Sequence, residues 1–275
     1  MLTLSYQGTG YCGWQIQPNG LSVQACVEQA VEKLTGAHSH VLCAGRTDSG
    51  VHAIGQVANF RTSVNIPINR MRRALQSHLP EDIVIIAAKE VHSTFHATYS
   101  AVSKRYRYVI FDGVVCPPFL RPLVHRVFEP LDVSAMNEAT RSLLGTHDFR
   151  CFETHYPNKS TSVRTILECS VRRTAGWAPW VSGHRWNDPA DHPLDRRSAE
   201  QISGPFIVLD IKADGFLYNM VRAIAGTLIR IGRGQRPVED MERVIQSLDR
   251  REGGMTAPAE GLYLIEVDYP AELLK

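Results

Sequence analysis

At residues 104–111 the sequence reads KRYRYVIF, an alternation typical of a β-strand. Because successive side chains of a strand point to opposite faces, Lys104, Tyr106 and Tyr108 share one face and Arg105 and Arg107 share the other. Tyrosines on a sheet with basic residues beside them form a surface on which a flipped or single-stranded base stacks. The alternative is a tyrosine pair packed in a core, which fits Tyr108 better than Tyr106.

Outward from this strand, helices and further strands follow one another in no strict order. Predicted helices cover residues 22–35, 68–79, 132–144, 219–230 and 237–248, and predicted strands cover residues 1–6, 40–44, 83–91, 166–171, 206–213 and 262–269. Ser22 is suited to cap the first helix and Gly36 to end it. No G-x-G-x-x-G motif follows a strand, as it would in a Rossmann domain. The sequence therefore predicts an α+β fold with a largely antiparallel sheet flanked by helices.

The later part of the chain repeats the kinds of element found in the earlier part. We expect two similar halves, residues 1–112 and residues 113–275, with a central cleft between them. The first half contains Asp48. Residues 174–205 interrupt the pattern as an insertion. It contains three tryptophans, Trp177, Trp180 and Trp186. Such a long irregular segment is uncommon in a compact domain, and we expect it to pack on the protein or to be mobile rather than to stack on RNA.

The composition is that of an ordinary globular protein, with 44% hydrophobic and 21% charged residues. It excludes a wholly disordered chain and a collagen-like chain. A membrane bundle is excluded as well, because no apolar run approaches the roughly 18–20 residues that cross a bilayer. The segment from Met1 to Tyr6 does not place a basic stretch before an apolar one, so we expect no signal peptide and a cytoplasmic location.

The six cysteines lie far apart and form no C-x-x-C pair, which favours reduced thiols over disulfides. One spacing, His147-x3-Cys151-x3-His155, would place three metal ligands on one face of a helix. Pro157 and its polar neighbours argue against a long helix there, and a structural zinc site usually has four ligands. We therefore expect no metal site.

The net charge is only +2, so total charge does not by itself indicate a nucleic-acid partner. Of the 30 basic residues, six are lysines and 24 are arginines, whose planar, permanently charged side chains match phosphate groups. They cluster as Arg70, Arg72 and Arg73, as Lys104, Arg105 and Arg107, and as Arg230, Arg233 and Arg236. A solvated basic surface gives the same pattern, so the composition permits RNA or DNA binding without requiring it.

The sharpest local motif is GRTDSGVHA at residues 45–53. Asp48 stands in a glycine-flanked turn after a predicted strand, and Arg46 precedes it by two residues. A neighbouring arginine typically lowers the pKa of an aspartate by about 1–3 units, and glycines let a ligand approach the backbone closely. An ionised, accessible carboxylate suits a nucleophile. The alternative is an ordinary turn in which Asp48 bonds nearby backbone amides.

The DSG sequence at 48–50 also matches the D-[ST]-G motif of aspartic proteases. Those enzymes need two carboxylates that share one proton. Arg46 would keep Asp48 ionised, and the one candidate for a second motif, ADG at 213–215, lacks the hydroxyl residue. Both features argue against a protease.

Two other residues are candidates for contact with a ligand. Arg222 lies alone in the apolar segment MVRAIAG at 220–226, and burying an arginine without an anionic partner is expensive. Its candidate partners are Asp48 and a phosphate. Trp14, which follows the first strand, is either a core residue or a lid over a base.

Seven segments in this order resemble the TruA-type tRNA pseudouridine synthases. They are YQGTGYCGWQ at 6–15, GRTDSGVHA at 45–53, FHA at 95–97 with SA at 100–101, KRYRY at 104–108, GTHDF at 145–149, the segment 216–228, and EGLYL at 260–264. One segment alone is a weak signal, whereas seven in the same order, nearly from end to end of the chain, are specific.

The resemblance implies an enzyme that converts uridines 38, 39 and 40 of the tRNA anticodon arm to pseudouridine. It matches Asp48 to the nucleophile of the family, Tyr106 to its substrate-contacting tyrosine and Arg222 to its active-site arginine. It also implies a homodimer with a basic cleft that binds the anticodon stem-loop of tRNA, without cofactor or metal. Beyond the resemblance, we expect Arg46 to bind the phosphate beside the displaced base.

Three departures from the family pattern leave the choice of substrate open. Gln7 stands where the family usually has Asp, Ser49 where Ala is commoner, and Thr98 where Arg often follows FHA. The alternatives are a synthase acting on other RNA uridines and a non-catalytic RNA-binding module. The binding module explains Tyr106 and the arginines, but it does not explain Asp48, because a carboxylate there repels phosphate unless catalysis needs it.

Overall fold

A computed structural model describes residues 1–154, 161–175 and 204–275. The chain divides into two compact units. The first unit comprises Met1–Lys104 and Tyr263–Lys275, and the second comprises Arg105–Leu262. The resemblance between an N-terminal and a C-terminal half stays a prediction. Most of the insertion, including Trp177, Trp180 and Trp186, lies outside the described residues, as does His155.

The described residues form ten strands and five α-helices. The strands are β1 (Leu2–Tyr6), β2 (Leu42–Cys43), β3 (His52–Asn59), β4 (Ile83–Ala88), β5 (Ser103–Phe111), β6 (His125–Arg126), β7 (Gly145–Asp148), β8 (Val163–Thr174), β9 (Phe206–Ala213) and β10 (Leu262–Asp268). The helices are α1 (Val23–Thr35), α2 (Ile68–Gln76), α3 (Val133–Ala139), α4 (Met220–Gly232) and α5 (Asp240–Ser247). Short 3-10 turns join several of these elements.

In the first unit the strands lie in the order β4, β1, β3, β10, and β2 pairs with β3. The pairings of β1 with β3, β1 with β4 and β2 with β3 are antiparallel, whereas β3 and β10 run parallel. Tyr6 at the end of β1 lies opposite Ala53 of β3, and His52 lies opposite Tyr263 of β10. Helix α2 packs against α1 and β4. This arrangement places the start of β3 in the middle of the sheet.

In the second unit the strands lie in the order β5, β9, β8, β7, and β6 pairs with β5 in parallel. The pairings of β7 with β8 and β8 with β9 are antiparallel. Helix α4 carries buried apolar residues around most of its circumference and packs against α3. The predicted α+β class with mostly antiparallel pairing is confirmed. In the part of the chain that the structure describes, each helix is too short or too polar to cross a membrane.

Helix α1 forms as its sequence predicts. The Ser22 side chain accepts a hydrogen bond from the Ala25 amide at 3.2 Å, and Gly36 ends the helix with a φ of 72°. The predicted helix at 132–144 ends earlier than expected, since α3 stops at Ala139 and continues as a 3-10 turn. Helix α5 likewise begins at Asp240 rather than at residue 237.

Strand β3 is the main element that the sequence pattern did not predict. Seven of its eight residues are buried, so it lacks the alternation of apolar and polar residues that marks a half-exposed strand. Polar His52 and Gln56 are among the buried ones. A Cβ atom on Gly55 would lie 2.2 Å from the carbonyl oxygen of Ile265, so the close approach of β10 requires a glycine.

Candidate active site

Asp48 lies in the turn that connects β2 to β3. The Val51 amide donates a hydrogen bond to the Asp48 carbonyl at 3.1 Å, and Gly50 has a φ of 79°, a conformation that favours glycine. Asp48 is half-buried and Arg46 is exposed. We call residues 45–51 the Asp48 turn. The turn places Asp48 four residues before β3, an inner strand of the sheet in the first unit.

The segment after β1 packs tightly against the backbone of this turn. The Trp14 amide donates a hydrogen bond to the Thr47 carbonyl at 2.9 Å. Gly13 has a φ of 105°, and a Cβ atom there would lie 2.6 Å from the same carbonyl oxygen. Trp14 is 2% exposed and its ring contacts Tyr6, with the ring centroids 6.2 Å apart. Of the two interpretations of Trp14, the structure supports the core residue.

Two side chains of the sheet, Tyr6 and Gln56, form hydrogen bonds with the same turn. The Tyr6 hydroxyl lies 2.7 Å from Thr47 Oγ1, and Gln56 Nε2 donates a hydrogen bond to the Gly45 carbonyl at 2.7 Å. Burial raises the pKa of the Tyr6 phenol well above its usual value. Sequence reasoning missed Gln56 because its strand was not predicted, although a glutamine in an otherwise apolar run was a visible signal.

His52 is a second buried polar residue beside the turn. It is 1% exposed, its Nδ1 accepts a hydrogen bond from the Gly8 amide at 3.0 Å, and its ring stacks on Tyr263 at 4.7 Å between centroids. A Cβ atom on Gly8 would lie 2.0 Å from the Val51 carbonyl oxygen. The backbone after β1 is therefore held against the end of the Asp48 turn.

In the second unit, Tyr106 and Tyr108 lie on β5 and are both buried. The Tyr106 ring meets Phe216 edge to face, with centroids 5.0 Å apart and an interplanar angle of 81°. The Tyr108 hydroxyl donates a hydrogen bond to the Pro258 carbonyl at 2.8 Å, which confirms its packing role. Phe216 belongs to the segment before α4, so two of the motif segments meet at Tyr106.

The two arginines of β5, Arg105 and Arg107, form ion pairs within the second unit. Arg107 is 8% exposed and donates hydrogen bonds to both carboxylate oxygens of Asp210, at 2.7 and 3.0 Å. Arg172 donates to the same carboxylate at 2.5 Å. Arg105 forms an ion pair with Glu168 at 2.9 Å. Part of the predicted basic cluster thus stabilises the sheet by ion pairing.

Arg222 lies in the first turn of α4 and is half-buried. Its Nε donates a hydrogen bond to the Ala257 carbonyl at 2.7 Å, and its Nη1 donates to Asn219 Oδ1 at 2.9 Å. Asn219 directly precedes the helix, has a φ of 61° and makes no capping hydrogen bond with its side chain. These bonds fix the plane of the guanidinium. The pairing of Arg222 with Asp48 or with a phosphate stays a prediction.

Of the three residues in the candidate metal spacing, His147 and Cys151 lie within the described residues and His155 does not. His147 belongs to β7, where its Nε2 hydrogen-bonds the Leu144 carbonyl at 2.9 Å, and Cys151 lies in a 3-10 turn. Burial raises the pKa of the Cys151 thiol to about 12. Within residues 1–154, 161–175 and 204–275, no three His, Cys, Asp or Glu side chains are placed to hold a metal ion together.

The sequence matches known proteins over most of its length. A family model described as tRNA pseudouridine synthase matches residues 3–100 and 139–270, which include the Asp48 turn and Arg222 but not Tyr106. The chain is 38% identical to tRNA pseudouridine synthase A of Thermoanaerobacter sp. (strain X514) over 269 residues, 98% of each chain. It is 41% identical to the protein of that name from Acetivibrio thermocellus over 268 residues, again 98% of each. The Aeromonas hydrophila protein is 40% identical over 272 residues, 99% of this chain and 90% of that one.

Proposed function

The chain belongs to the tRNA pseudouridine synthase family, and we propose that Asp48 is the nucleophile with which it isomerises uridine in tRNA to pseudouridine. The observation that carries this proposal is a half-buried carboxylate in a turn that is braced by backbone and side-chain hydrogen bonds. A merely structural aspartate in a turn needs no such support. A nucleophile does, because its reaction rate depends on placement to a fraction of an ångström.

The reaction breaks the bond between uracil N1 and the ribose C1′ and forms one between C5 and C1′. It involves no net oxidation or reduction, because the hydrogen on C5 leaves as a proton and N1 takes up a proton. Asp48 can assist by attacking C1′, by adding to C6 of the base, or by promoting a glycal intermediate. All three routes need an ionised carboxylate held close to the glycosidic bond, which the Asp48 turn is built to present.

Tyr106, Arg222 and Arg46 complete the proposed site. The target base must leave its stack, at a cost of a few kcal/mol, and contact with an aromatic ring offsets part of this cost. We assign that contact to Tyr106, whose ring is oriented by Phe216. Arg222, with its guanidinium plane fixed by Ala257 and Asn219, stabilises negative charge at the reaction centre. Arg46 is exposed and would bind the phosphate of the displaced nucleotide.

The finer features of the proposal come from the family resemblance. We propose that the substrate positions are uridines 38, 39 and 40 of the tRNA anticodon stem-loop. We also propose that the enzyme works as a cytoplasmic homodimer without a cofactor, with the RNA in a cleft between two similar halves. Family membership favours tRNA over other RNA as the substrate.

The reaction can be tested without knowing the modified position. Transfer RNA carrying tritium at uridine C5 should release tritium to water when incubated with the protein alone, and release should continue in a strong chelator. Sequencing of the product for pseudouridine then locates the site. An absence of release from tRNA would overturn the proposal, and release from other RNA but not from tRNA would reassign the substrate.

A further inference from the structure

Three polar side chains are buried together beneath the Asp48 turn. Tyr6 from β1 is 4% exposed, Gln56 from β3 is 0% exposed and Thr47 from the turn is 6% exposed. The Tyr6 hydroxyl lies 2.7 Å from Thr47 Oγ1. Gln56 Nε2 donates to the Gly45 carbonyl at 2.7 Å and to the Tyr6 hydroxyl at 3.4 Å. We call these three side chains the Tyr6 cluster.

The hydrogen bonds that Gln56 makes in the Tyr6 cluster have a defined direction. The Gly45 carbonyl accepts only, so the amide nitrogen of Gln56 must face it, and the second amide hydrogen points to the Tyr6 oxygen. The Tyr6 hydroxyl also bonds Thr47 Oγ1, and either hydroxyl can be the donor of that bond. The raised pKa of Tyr6 keeps its hydroxyl protonated over the whole working pH range of an enzyme. The three side chains share these bonds, so a change at one of them alters the bonds of its neighbours.

Burying three polar groups is expensive compared with burying apolar groups of the same shape. Phe, Leu and Val would fill the same positions with little loss of burial energy. The stability of the core therefore does not explain why these positions hold Tyr, Gln and Thr. The need to fix the backbone of the turn does explain it. The cluster fixes the backbone of the turn at Gly45 and at Thr47, three residues and one residue before Asp48.

The other contacts of the turn act on the same stretch of backbone. The Trp14 amide holds the Thr47 carbonyl at 2.9 Å, and Ser49 Oγ donates to the Tyr11 carbonyl at 3.1 Å. Together with the cluster, these bonds fix the residues on both sides of Asp48. The direction in which its carboxylate projects then depends on the hydroxyl of Thr47 as well as on the fold.

We propose that Tyr6, Gln56 and Thr47 are positioning residues for the reaction, which act on Asp48 through the backbone of its turn. They do not touch the substrate in this proposal, so they affect the chemical step and leave the affinity for tRNA unchanged. The inference rests on the proposed role of Asp48.

The first test is Tyr6→Phe, which removes one hydroxyl and keeps the ring that packs on Trp14. At saturating enzyme, the single-turnover rate of tritium release should fall about tenfold, as expected for the loss of one aligned hydrogen bond. The dissociation constant for tRNA should stay within twofold. The matched control is Tyr269→Phe, which removes a hydroxyl that donates to the Ala97 carbonyl at 2.7 Å in the same unit. This control should lower the melting temperature by a similar amount and leave the rate unchanged.

The second test uses Thr47, because two variants there separate shape from hydrogen bonding. Thr47→Val keeps the shape and loses the hydroxyl, so it should slow the reaction as much as Tyr6→Phe does. Thr47→Ser keeps the hydroxyl and should retain most of the rate. The double variant Tyr6→Phe with Thr47→Val should be no slower than Tyr6→Phe alone, because Tyr6→Phe already removes the bond that Thr47→Val removes.

The outcomes separate this inference from the proposed function. If Asp48→Asn abolishes release but Tyr6→Phe and Thr47→Val react at the wild-type rate, the Tyr6 cluster is structural only and the inference is wrong. An effect confined to tRNA affinity overturns it as well, and so does an additive double variant. If Asp48→Asn itself remains active, the proposed function fails first.

Discussion

Asp48 stands on a turn between two strands, whereas Tyr106 lies within β5 and Arg222 within α4. The backbone of a strand or helix is held by its own repeating hydrogen bonds. A turn has few such bonds, and the Asp48 turn takes its support from residues distant in sequence, such as Tyr6, Trp14 and Gln56. We therefore expect a mutation outside the candidate site to displace Asp48 more readily than Tyr106 or Arg222.

The Asp48 turn and β5 differ in the charge of their surroundings as well. The side chains that support the Asp48 turn, Tyr6, Thr47 and Gln56, are neutral, whereas β5 rests on the buried ion pair of Arg107 with Asp210. Neutral hydrogen bonds are insensitive to pH and salt, and ion pairs respond to both. We expect substitutions around the turn to change the rate of reaction, and substitutions around β5 to change stability.

The largest effect should come from Asp48→Asn, which keeps size and turn geometry but removes the charge. Tritium release should fall by at least a thousandfold, about 4 kcal/mol in activation free energy, while tRNA binding survives. The control is Asp249→Asn, which neutralises a partly exposed aspartate outside the Asp48 turn that pairs with Arg251, and it should keep the wild-type rate. Residual Asp48→Asn activity within tenfold of the wild type would remove Asp48 from the mechanism.

For Asp210→Asn in the second unit, we expect a loss of stability rather than a loss of reaction rate. Two arginines would then face a neutral amide, one of them buried, and the free energy of unfolding should fall by about 3–5 kcal/mol. Urea denaturation measures this loss. Asp249→Asn, which breaks an exposed pair with Arg251, is the control and should leave stability unchanged.

The loss at Asp210 should also depend on pH. Burial alone would raise the pKa of Asp210, but hydrogen bonds and charge from Arg107 and Arg172 outweigh it, so the net pKa is lowered. A carboxylate with a lowered folded-state pKa stabilises the protein above its unfolded pKa, roughly 3.9, and this stabilisation is lost as pH falls through the folded value. The difference between wild type and Asp210→Asn should therefore be constant near pH 7 and shrink below about pH 4. A difference that does not change with pH would contradict the ion-pair explanation.

Arg222→Lys tests whether the guanidinium of Arg222, on helix α4, contributes directly to the reaction. Lysine keeps the charge but cannot bond Ala257 and Asn219 in one plane, so activity should fall by about 10- to 100-fold with the melting temperature little changed. Arg230→Lys, at the other end of α4, should retain activity. Equal activity of the two variants would show that Arg222 has only a structural role.

Local signals were sufficient to predict most of the helices and strands. Ser22 and Gly36 bound α1 where the capping rules place them, and residues 206–213 form β9 as expected. Strand β3 was missed because a strand buried on both faces carries no period of two. The bounds of α3 and α5 were wrong by several residues, since the last turn of α3 tightens into a 3-10 turn and α5 starts late.

The candidate site likewise contains residues that the sequence could identify and residues that it could not. Asp48 was identifiable because its motif is contiguous, and Gly50 of the motif has a positive φ that favours glycine. The Tyr6 cluster was not, because it joins residues 6, 47 and 56 through a sheet register that no local pattern reveals. The neutralisation of Arg107 was missed for the same reason, since Asp210 lies on β9, far along the chain.

Arg46 should show the smallest effect and the clearest dependence on salt. It is an exposed residue of the Asp48 turn, so Arg46→Gln should leave the melting temperature unchanged. If Arg46 binds one phosphate, the variant should bind tRNA severalfold more weakly, and the slope of log affinity against log salt should fall by about 0.7–0.9, the release of one counterion. The control is Arg251→Gln, whose charge Asp249 already neutralises and whose slope should equal that of the wild type. A loss of single-turnover rate without a change in slope would place Arg46 with the Tyr6 cluster, as a residue that orients Asp48 rather than one that holds RNA.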